Sequence, residues 1–536
     1  MKFVGVGRYS LIRRFLSKPT AYSPVTNLHL YTYSTMTDVE KTRKLSESSL
    51  GGAVQPPMKK PKKFKKKKFK QPPIDPISAE GILVTDIKAL LKKEGIAEED
   101  TINDMQEFFE RPKDVPHPEH REVTLDIIAL SSVGEGIALH KGENGRVQVI
   151  TVPFTVVGDK VEAKVYKTQK HYFQSDLLKV ITPSEKRNDS LINCKYFNSC
   201  SGCQYQMLDY EEQLEIKRQV IVNAFKHYAP NLDPSVIPEV LKTVGSPKTY
   251  GYRTKLTPHF DVPKAGLQAP PPIGFGEKGK KSVVDIEECA IGTPAVNKGM
   301  TEQRRYVHEN YTKYKKGATL LLRENMISPE EKVCTSNTKE IITEYVDKEY
   351  QFKYPASSFF QNNNSILPAV TSYVRENIVL PSTGELPKYL VDTYCGSGLF
   401  AVTCSSASES VIGVEISKDS VEYAQKNADL NGVKNASFIV GQAEKIFEKV
   451  NTPKDETSIV IDPPRKGCDQ AFLNQLLEFK PAKVVYVSCN VHSQARDIDY
   501  LLTDNRGKDY QIESIRGFDF FPQTHHVESV AVLSLK

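Results

Sequence analysis

Short apolar segments alternate with helical segments in the C-terminal third of the chain, and this alternation constrains the fold more than any other feature. Tyr389–Asp392, Ser410–Glu415 and Ala436–Val440 have the composition of strands. A glycine turn follows the first of them, and a helical segment from Ser420 to Asn431 follows the second. Such an alternation predicts a doubly wound parallel sheet with helices on both faces. We therefore predict an α/β fold with its ligand site at the carboxyl ends of the strands.

Two later strands deliver reactive side chains to that edge of the sheet. The apolar segment Ile459–Ile461 stops at Asp462, and Val484–Ser488 stops at Cys489. Taken singly, an Asp after a strand often only caps the next helix, and a Cys is often a small buried hydrophobe. A carboxylate and a thiol at neighbouring strand ends nevertheless make a candidate reaction site, provided that the chain also supplies a cofactor pocket.

The turn after the first strand indicates which cofactor that is. Asp392 precedes the glycine pair Gly396 and Gly398, and Glu415 ends the next strand roughly 20 residues later, as in sites that bind a ribose. The turn lacks the third glycine of the dinucleotide fingerprint. The pattern therefore fits an S-adenosylmethionine pocket better than an NAD pocket.

Positive charge is concentrated near the beginning of the chain. Residues 59–70 hold nine lysines and residues 1–35 hold five basic residues, with no acidic residue in either segment, whereas the whole chain has a net charge of only +6. The rest of the chain is therefore mildly acidic, so that a polyanion must be held by local basic patches or by the tail. We predict a disordered targeting and basic tail over residues 1–75.

Two targeting signals are present in this tail. The acid-free segment 1–35 has the composition of a mitochondrial presequence, with Met36 as a second start, although an ordinary disordered tail has the same composition. The lysine run is typical of a nuclear-localisation or nucleic-acid-binding segment, or of a solvated charge block. We expect the protein in the nucleus and cytoplasm, and in mitochondria for a form that starts at Met1.

The remainder divides into a linker and three domains. They are a helical linker over 76–116, a small barrel over 117–183, a mixed α+β central domain over 184–349 and the α/β domain over 350–536. The barrel is predicted from short alternating runs punctuated by Gly and Asp, which favour a five-stranded OB-like fold. This segment resembles a TRAM domain in its turn at Gly134–Ala138, and TRAM domains bind RNA; a spacer barrel is the alternative.

Four cysteines of the central domain form a candidate metal site. Cys194, Cys200 and Cys203 fall within ten positions, Gly202 allows a tight turn, and Cys289 is the candidate fourth ligand. Four thiolates suit either tetrahedral zinc or a [4Fe–4S] cluster, and their spacing does not choose between the two.

Composition excludes two other classes of protein. Nine cysteines in a long chain without a secretory segment do not indicate a disulfide scaffold, so reduced thiols or metal ligands are expected. No apolar run approaches the ~18 residues of a membrane span, so we expect no membrane association. No segment indicates an obligate protein partner, and we expect a monomer.

Taken together, the motifs are similar to those of the RNA uracil-5-methyltransferase family over about residues 117–536. The matching segments are Phe360–Gln361, Asp392–Gly398, Val414–Glu415, Asp462–Gly467, Val487–Asn490 and Phe521–Glu528. Their order and spacing are specific, and the basic tail outside them suggests a fungal or other eukaryotic tRNA member. The family implies a Rossmann-like methyltransferase domain at the C-terminus.

The resemblance also implies a role for each matching residue. Cys489 corresponds to the nucleophile and Glu528 to the general base. The residues that correspond to contacts of S-adenosylmethionine are Gln361, Tyr394, Glu415 and Asp462. The residues that correspond to iron–sulfur ligands in the cluster-bearing branch are Cys194, Cys200, Cys203 and Cys289.

The implied activity is methylation of uridine C5 in tRNA, at T-loop uridine 54, which forms ribothymidine. Uracil C5 is a poor nucleophile, but a thiolate that adds to C6 makes an enolate whose C5 attacks a methyl sulfonium. A base must then remove the C5 proton so that the thiolate can leave. The alternatives are an rRNA uridine C5-methyltransferase, which shares the motifs, and a non-catalytic RNA-binding or tRNA-folding protein.

Overall fold

The structure is a computed structural model that describes residues 73–102, 121–141, 145–441, 446–447 and 450–536. Lys62–Lys536 form one compact unit, and the other unit, Met1–Pro61, lies outside the described residues. The predicted tail therefore falls almost wholly outside them, as does the last third of the predicted linker, residues 103–116. Within the described ranges, no helix is long and apolar enough to cross a membrane.

A helix and a six-stranded sheet form the N-terminal part of the described chain. Helix α1 (Ala79–Lys93) begins at Ser78, whose hydroxyl accepts a hydrogen bond from the Gly81 N–H. The strands are β1 (Arg121–Asp126), β2 (Ala129–Leu130), β3 (Gly136–Lys141), β4 (Val147–Val152), β5 (Lys160–Thr168) and β6 (Phe173–Thr182). They pair in the order β1-β5-β6-β4-β3-β2 and share one apolar core.

This sheet has six strands where the sequence predicts five. The additional strand β2 is two residues long and pairs with β3 through Ala129–Ile137 and Leu130–Gly136. A two-residue strand shows no alternation from which it could be predicted. The apolar face of α1 packs on the outside of the sheet, where Leu83, Ile87 and Leu91 join a cluster with Ile137 and Val149.

The middle part contains two helices and a series of short strands. The helices are α2 (Tyr210–Tyr228) and α3 (Pro294–Glu309). The strands are β7 (Leu241–Val244), β8 (Lys255–Leu256), β9 (His259–Phe260), β10 (Gly274–Gly276), β11 (Val283–Asp285), β12 (Ala318–Thr319), β13 (Leu322–Met326), β14 (Lys332–Thr335), β15 (Ile341–Val346) and β16 (Tyr350–Pro355). Except for β7, they form three small antiparallel sheets, β11-β10-β9-β12, β14-β13-β8 and β15-β16.

The C-terminal part is the predicted α/β domain. Its elements are α4 (Leu367–Asn377), β17 (Tyr389–Asp392), α5 (Leu399–Thr403), β18 (Ser410–Glu415), α6 (Lys418–Leu430), β19 (Ala436–Val440), β20 (Thr457–Ile461), α7 (Gln470–Phe479), β21 (Lys483–Ser488), α8 (Val491–Thr503), β22 (Tyr510–Phe518) and β23 (Glu528–Leu535). The eight-stranded sheet has the order β19-β18-β17-β20-β21-β23-β22-β7. Apolar clusters cover both faces of this sheet, as a Rossmann-like fold requires.

The sheet is mixed rather than wholly parallel. Strands β17 to β21 are parallel, but β23 runs antiparallel to both β21 and β22. The reason is the connection: a loop over residues 519–527, without a crossover helix, joins β22 to β23, and such a connection reverses the chain. The beginning of β23 therefore lies at the same edge of the sheet as the end of β21.

Candidate active site

Cys489 lies in the turn between β21 and α8, at the carboxyl edge of the sheet. All of β21 is buried, and Cys489 is the first residue after its end. The Asn490 N–H donates to Ser488 Oγ (3.1 Å), and Asn490 Oδ1 accepts from the His492 N–H (3.2 Å), so that Asn490 caps α8. This turn holds the thiol at the rim, where it is partly exposed.

Asp462 follows β20, the parallel neighbour of β21, and therefore lies at the same rim. The loop after it exposes two cations, Arg465 and Lys466. Asn490 Nδ2 donates to the Arg465 carbonyl (2.9 Å), which ties this loop to the turn that carries Cys489. The structure thus brings together the two strand ends that the sequence predicts to form a reaction site.

Glu528 is the first residue of β23 and is only 4% exposed. Strand β23 is antiparallel to β21, and Ser529 pairs with Ser488. The first residue of β23, Glu528, therefore lies beside Cys489, which follows the last residue of β21. Asp462, Arg465 and Glu528 all act electrostatically on the Cys489 thiol. The predicted nucleophile, the predicted base and one predicted cofactor contact therefore form one cluster.

The acidic groups of this cluster hold their protons more strongly than usual. Burial, and then the charge of Asp462, raise the pKa of Glu528 to about 8, while Arg465 opposes the rise. Asp462 keeps some exposed area, yet enough protein surrounds its carboxyl for burial to raise the pKa to about 7. Burial, Glu528 and Asp462 raise the pKa of the Cys489 thiol to about 12. Without ligands, the thiol is neutral and the base is largely protonated at neutral pH.

Two histidines of the loop between β22 and β23 remain neutral next to this cluster. Burial, then Arg465 and Lys217, lower the pKa of His526 to about 4, and burial lowers the pKa of His525 well below its usual value. Their ring centroids are 4.0 Å apart. Because the imidazoles are neutral, the positive charge that acts on His526 comes from Arg465, Lys217 and Arg253.

Helix α2 anchors the loop over residues 519–527, which we call the catalytic loop. Lys217, fully buried, donates to Asp519 Oδ1 (2.5 Å) and to the Phe521 carbonyl (3.0 Å). Gln213 and Gln523 exchange two hydrogen bonds, from Gln213 Nε2 to Gln523 Oε1 (3.1 Å) and from the Gln523 N–H to Gln213 Oε1 (3.0 Å). Gln523 has a positive φ of 71°, a strained conformation for a side chain that is not glycine. The anchors therefore hold the loop in a shape that it would not adopt by itself.

The loop after the cysteine motif contacts the same catalytic loop. Gln204, next to Cys203, has an Oε1 that accepts from the His525 N–H (3.2 Å), and its own N–H donates to the Gln523 carbonyl (2.8 Å). The cysteine segment and the candidate base are thus connected through a few buried residues.

The glycine turn after β17 has the geometry of a cofactor pocket. Gly396 and Gly398 have φ values of 51° and 91°, which only glycine adopts easily. Glu415, at the end of β18, accepts from the Gly396 N–H (3.2 Å) and from the Ser417 N–H (3.0 Å), which fixes its carboxylate at the turn. Asp392 Oδ2 accepts from the Ala401 N–H (3.0 Å).

One atom of this pocket indicates that it receives a polar ligand. Asp392 Oδ1 is buried and has no partner with hydrogen-bond geometry among the described residues. Burial, and then Asp462, raise the pKa of this carboxyl to about 8. A buried oxygen without a partner is costly, so a cationic or N–H-bearing ligand would stabilise it. The amino group of S-adenosylmethionine fits this requirement.

The other two predicted cofactor residues lie on either side of the domain. Tyr394 is in the glycine turn, with its ring centroid 5.5 Å from that of Phe472. Gln361 is buried in the segment that leads into α4, directly after Phe360, which packs in the core. Within the described chain, no hydrogen bond joins Gln361 to Glu415 or Asp462, so its role stays a prediction.

The aromatic residues at Phe518–Phe521 only partly line the site. Phe518 and Phe520 are each 1% exposed and belong to the core. Phe521 lies against His526, at 5.8 Å between ring centroids, and under the guanidinium of Arg253.

Sequence reasoning did not assign a function to Arg465, His526 or Ile416. Arg465 could have been singled out as a cation within the Asp462–Gly467 motif. Ile416 follows Glu415 and is 64% exposed, a large apolar side chain beside the carboxylate that the sequence predicts to contact the cofactor. Nothing in the sequence distinguishes it from an ordinary surface isoleucine, because its exposure depends on where the strand ends.

The four predicted metal ligands share one cavity. Cys194, Cys200, Cys203 and Cys289 line a cavity of ≈ 230 Å³ together with apolar residues of the central domain. All four are free thiols. Among the residues that the structure describes, however, no group of three or more His, Cys, Asp or Glu side chains is arranged to hold a metal ion. The sulfurs thus lie around one space without forming a ligand set.

Both the sequence and the structure are similar to those of known proteins. Residues 322–536 match the family described as tRNA (uracil-5-)-methyltransferase. The chain is similar to the tRNA (uracil(54)-C(5))-methyltransferase of Saccharomyces cerevisiae, with 45% identity over 88% of this chain and 83% of the relative. It is 47% identical to the Schizosaccharomyces pombe protein of the same description, over 89% of this chain and 87% of the relative.

A solved structure is similar over most of the chain. The tRNA (uracil-54, C5)-methyltransferase of Pyrococcus abyssi, solved in complex with S-adenosyl-L-homocysteine, matches with a TM-score of 0.57 and 25% identity. The match covers 77% of this chain and 100% of the archaeal chain.

Proposed function

The chain belongs to the tRNA (uracil-5-)-methyltransferase family, and we propose that it methylates C5 of uridine 54 in tRNA, with S-adenosylmethionine as the methyl donor. The observation that carries this function is the cluster of Cys489, Glu528 and Asp462 at one edge of the sheet, beside the glycine turn with Glu415. The fungal relatives are named for this reaction on uridine 54.

S-adenosylmethionine, when bound, supplies the methyl group on a sulfonium that the enolate carbon can attack. Cys489 Sγ adds to C6 of the uracil, which makes C5 nucleophilic. After C5 has taken the methyl group, Glu528 accepts the C5 proton, and the C6–S bond breaks with its electron pair going to sulfur, which releases the product and the Cys489 thiolate. Arg465 favours this course, because it lowers the pKa of both Cys489 and Glu528 against the effect of burial.

The remaining site residues would bind the cofactor. Glu415 is held by two backbone N–H groups in a position to accept from ribose hydroxyls. Asp462 and Tyr394 flank the same turn, and Gln361 approaches from the segment before α4. Asp392, which sequence reasoning placed only next to the turn, joins them through its unpaired oxygen.

The test is to separate the two chemical roles. Cys489→Ala should abolish both methylation and the covalent protein–RNA complex. Glu528→Gln keeps the nucleophile, so it should accumulate a denaturation-resistant complex after methyl transfer. Wild-type protein should form a similar complex with tRNA that contains 5-fluorouridine, because fluorine cannot leave as a proton.

Cys334→Ala is a matched control, since it removes a half-buried thiol of the central domain. It should methylate tRNA normally. Product should be mapped in tRNA and rRNA from the same cells, with and without the gene. Methylation by Cys489→Ala would refute the nucleophile, and loss of 5-methyluridine from rRNA alone would refute the tRNA substrate.

We also propose that the four cysteines hold a [4Fe–4S] cluster. The support is that Cys194, Cys200, Cys203 and Cys289 line one cavity among apolar side chains, although they are not set as ligands in this structure. The cluster would tie the cysteine loop together next to Gln204. Protein purified without oxygen should contain iron and sulfide, and Cys200→Ser should lose both while Cys334→Ser keeps them. Zinc without sulfide would contradict the cluster, and absence of any metal would refute the site.

Two further proposals concern the whole protein. We propose that the form starting at Met1 enters mitochondria and that a form starting at Met36 is nuclear and cytoplasmic, on the basis of the tail composition. Identical distributions of fluorescent fusions that start at the two methionines would contradict this. We propose that the enzyme acts as a monomer, which light scattering on the purified full chain tests.

A further inference from the structure

A segment that precedes the barrel lines the cavity of the nucleophile. Cys489, Asn490, Arg465 and His526 surround a cavity of ≈ 340 Å³ at the rim. The facing wall of this cavity is built from residues of the N-terminal segment, which are Asp75, Ile77, Ser78, Ala79 and Ile82. We call Asp75–Ile82 the entrance segment. The sequence assigned no chemistry to this part of the chain.

The entrance segment and helix α1, which continues it, are fixed to three separate parts of the molecule. Tyr228, at the end of α2, donates to the Pro76 carbonyl (2.9 Å). Asn490 Nδ2 approaches the Ile77 carbonyl (3.5 Å), directly beside the nucleophile. In the barrel, the Ser132 N–H donates to Asp86 Oδ2 (2.7 Å) of α1. These hydrogen bonds therefore fix the position of the segment relative to the thiol.

The segment is also rigid in itself. Ser78 donates to the Asp75 carbonyl (2.6 Å) and caps α1 through the Gly81 N–H (3.1 Å). A Cβ on Gly81 would collide with the carbonyl oxygens of Asp75 and Pro76, so this glycine lets the turn lie directly on the helix. The apolar face of α1 behind it is buried on the barrel.

The barrel completes the wall on one side. The turn that holds Ser132 continues to Gly134, whose φ is 79° and whose Cβ would lie 3.1 Å from that of His525. The barrel turn thus packs between the entrance segment and the loop that carries Glu528. The cavity is consequently lined by the N-terminal segment, the barrel turn, Val220 of α2 and the C-terminal domain, which are far apart in sequence.

The two walls of the cavity differ in charge. Arg465 and Lys466 are exposed on the side of the sheet, whereas the entrance segment contributes the exposed carboxylate of Asp75 and no cation. Phosphates of an RNA are attracted to the cationic side and repelled by the carboxylate. The Asp75 carboxylate can accept hydrogen bonds from the N–H groups of nucleobases, whereas the carbonyls of Asp75, Pro76 and Ile77 already accept from Ser78, Tyr228 and Asn490. The entrance segment is therefore suited to contact bases, not the phosphate backbone.

We propose that the entrance segment Asp75–Ile82 is part of the RNA-binding site and contacts the nucleotides next to the target uridine. The proposal rests on the proposed function, because it takes the cavity of Cys489 as the place of the target. The segment acts in RNA binding and selection: it leaves the thiol, the base and the cofactor turn unchanged, and it determines how well the RNA is held at the entrance.

Two substitutions displace the segment from opposite sides without changing any group at the rim. Gly81→Ala pushes the Asp75–Pro76 turn off the helix, and Tyr228→Phe removes the hydroxyl that holds Pro76 while keeping the ring against His492. Loss of one such hydrogen bond should raise the KM for tRNA by about five- to tenfold. The KM for S-adenosylmethionine and kcat at saturating tRNA should stay at the wild-type values.

Lys92→Ala is the matched control, because Lys92 is exposed in the last turn of the same helix. It should leave all three constants unchanged. Thermal unfolding of each variant shows whether it is folded; if Gly81→Ala does not fold, Tyr228→Phe decides. A folded Tyr228→Phe with an unchanged KM for tRNA would overturn the proposal. A wild-type enzyme that methylates no tRNA would instead refute the proposed function.

A second measurement locates the segment on the RNA directly. The photoreactive residue p-benzoylphenylalanine would replace Ala79, which is exposed on the cavity wall, in full-length protein trapped on 5-fluorouridine tRNA. Crosslinks should map to the nucleotides beside the trapped uridine, and the same residue at Lys92 should not give them. Crosslinks from position 79 only to distant nucleotides, or none at all in a trapped complex, would overturn the proposal.

Discussion

The side chains of Cys489 and Glu528 hold their protons more strongly than exposed groups do, and a bound cation favours their ionised forms. Burial raises the pKa of Glu528 to about 8 and that of Cys489 to about 12. Both groups must be deprotonated during the reaction. A bound sulfonium brings a positive charge to the carboxyls, which favours their ionised form.

This arrangement predicts a pH dependence. Glu528 accepts a proton only when ionised, so product formation should be lost as pH falls through its pKa of about 8. The value of kcat/KM, which reports the protein without ligands, should therefore rise from about pH 6 to about pH 9, and turnover with both substrates saturating should rise at lower pH because the sulfonium favours the ionised carboxyl. Because the raised pKa results from burial, replacing Glu528 with Asp should shift the profile as well as lower the rate. A flat profile would contradict the role of a buried base, provided that product release is not limiting, which a single-turnover experiment determines.

Asp392 permits a separate prediction about stability. Its pKa is raised from 3.8 to about 8, so the folded state binds the proton more tightly than the unfolded chain. The stabilising effect of that proton is complete at low pH and is lost as pH rises towards 8. The ligand-free protein should thus unfold at a lower temperature at alkaline than at mildly acidic pH. Asp392→Asn should reduce this difference, and an equal difference in both proteins would contradict the assignment.

At the scale of elements, the position of Glu528 depends on the direction of one strand. The sequence indicates the parallel strands well, since Tyr389–Asp392 and Ser410–Glu415 agree with β17 and β18. Strands β22 and β23 are not predicted from the sequence, because this region is interpreted through its motif and not through the periodicity of its apolar residues. Their antiparallel pairing is what brings the base to the nucleophile. The resemblance identified Glu528, but only the topology explains how it reaches Cys489.

Among the elements around the site, we expect a substitution in helix α2 to lower the free energy of unfolding most. Lys217→Met would leave the Asp519 carboxylate buried without its cation, which should cost about 3–5 kcal/mol. Because Asp519 and Phe521 begin the catalytic loop, activity should fall together with stability. Lys226→Met, at an exposed position of the same helix, should change neither. Denaturant unfolding measures the first effect, and a loss similar to that of the control would contradict the anchoring role.

The sequence could not have revealed these anchors, for a physical reason. Gln213 and Lys217 lie about 300 positions before Gln523 and Asp519, and pairs so distant leave no mark on local periodicity. The same applies to Asp75 and Ile77, which line the cavity of Cys489 because α1 packs on the barrel. Motifs and periodicity determine what occurs within one element, whereas these contacts depend on how the elements assemble.

At the scale of the whole molecule, the C-terminal domain shares its core with the residues before it. The cluster on one face of the large sheet includes Val220, Ile221 and Phe225 of α2 together with Ala495 and Ile498 of α8. Strand β7 pairs in parallel with β22 and so occupies the edge of the sheet. The predicted domain boundary at residue 350 therefore cuts through a packed core and removes an edge strand.

This leads to a prediction about the isolated fragment 350–536. Without α2, the face of α8 is exposed to water. Each apolar side chain that is no longer buried lowers the free energy of unfolding by about 1.5–3 kcal/mol. Without β7, strand β22 presents unpaired backbone groups, which favour association between copies. The fragment should accordingly unfold at a much lower temperature than the full chain and scatter light at concentrations at which the full chain does not. A longer fragment, 205–536, restores both elements and should bind S-adenosylmethionine in calorimetry as the full chain does. A monodisperse fragment 350–536 with the stability of the full chain would show that α2 and β7 only rest on the domain and do not complete its core.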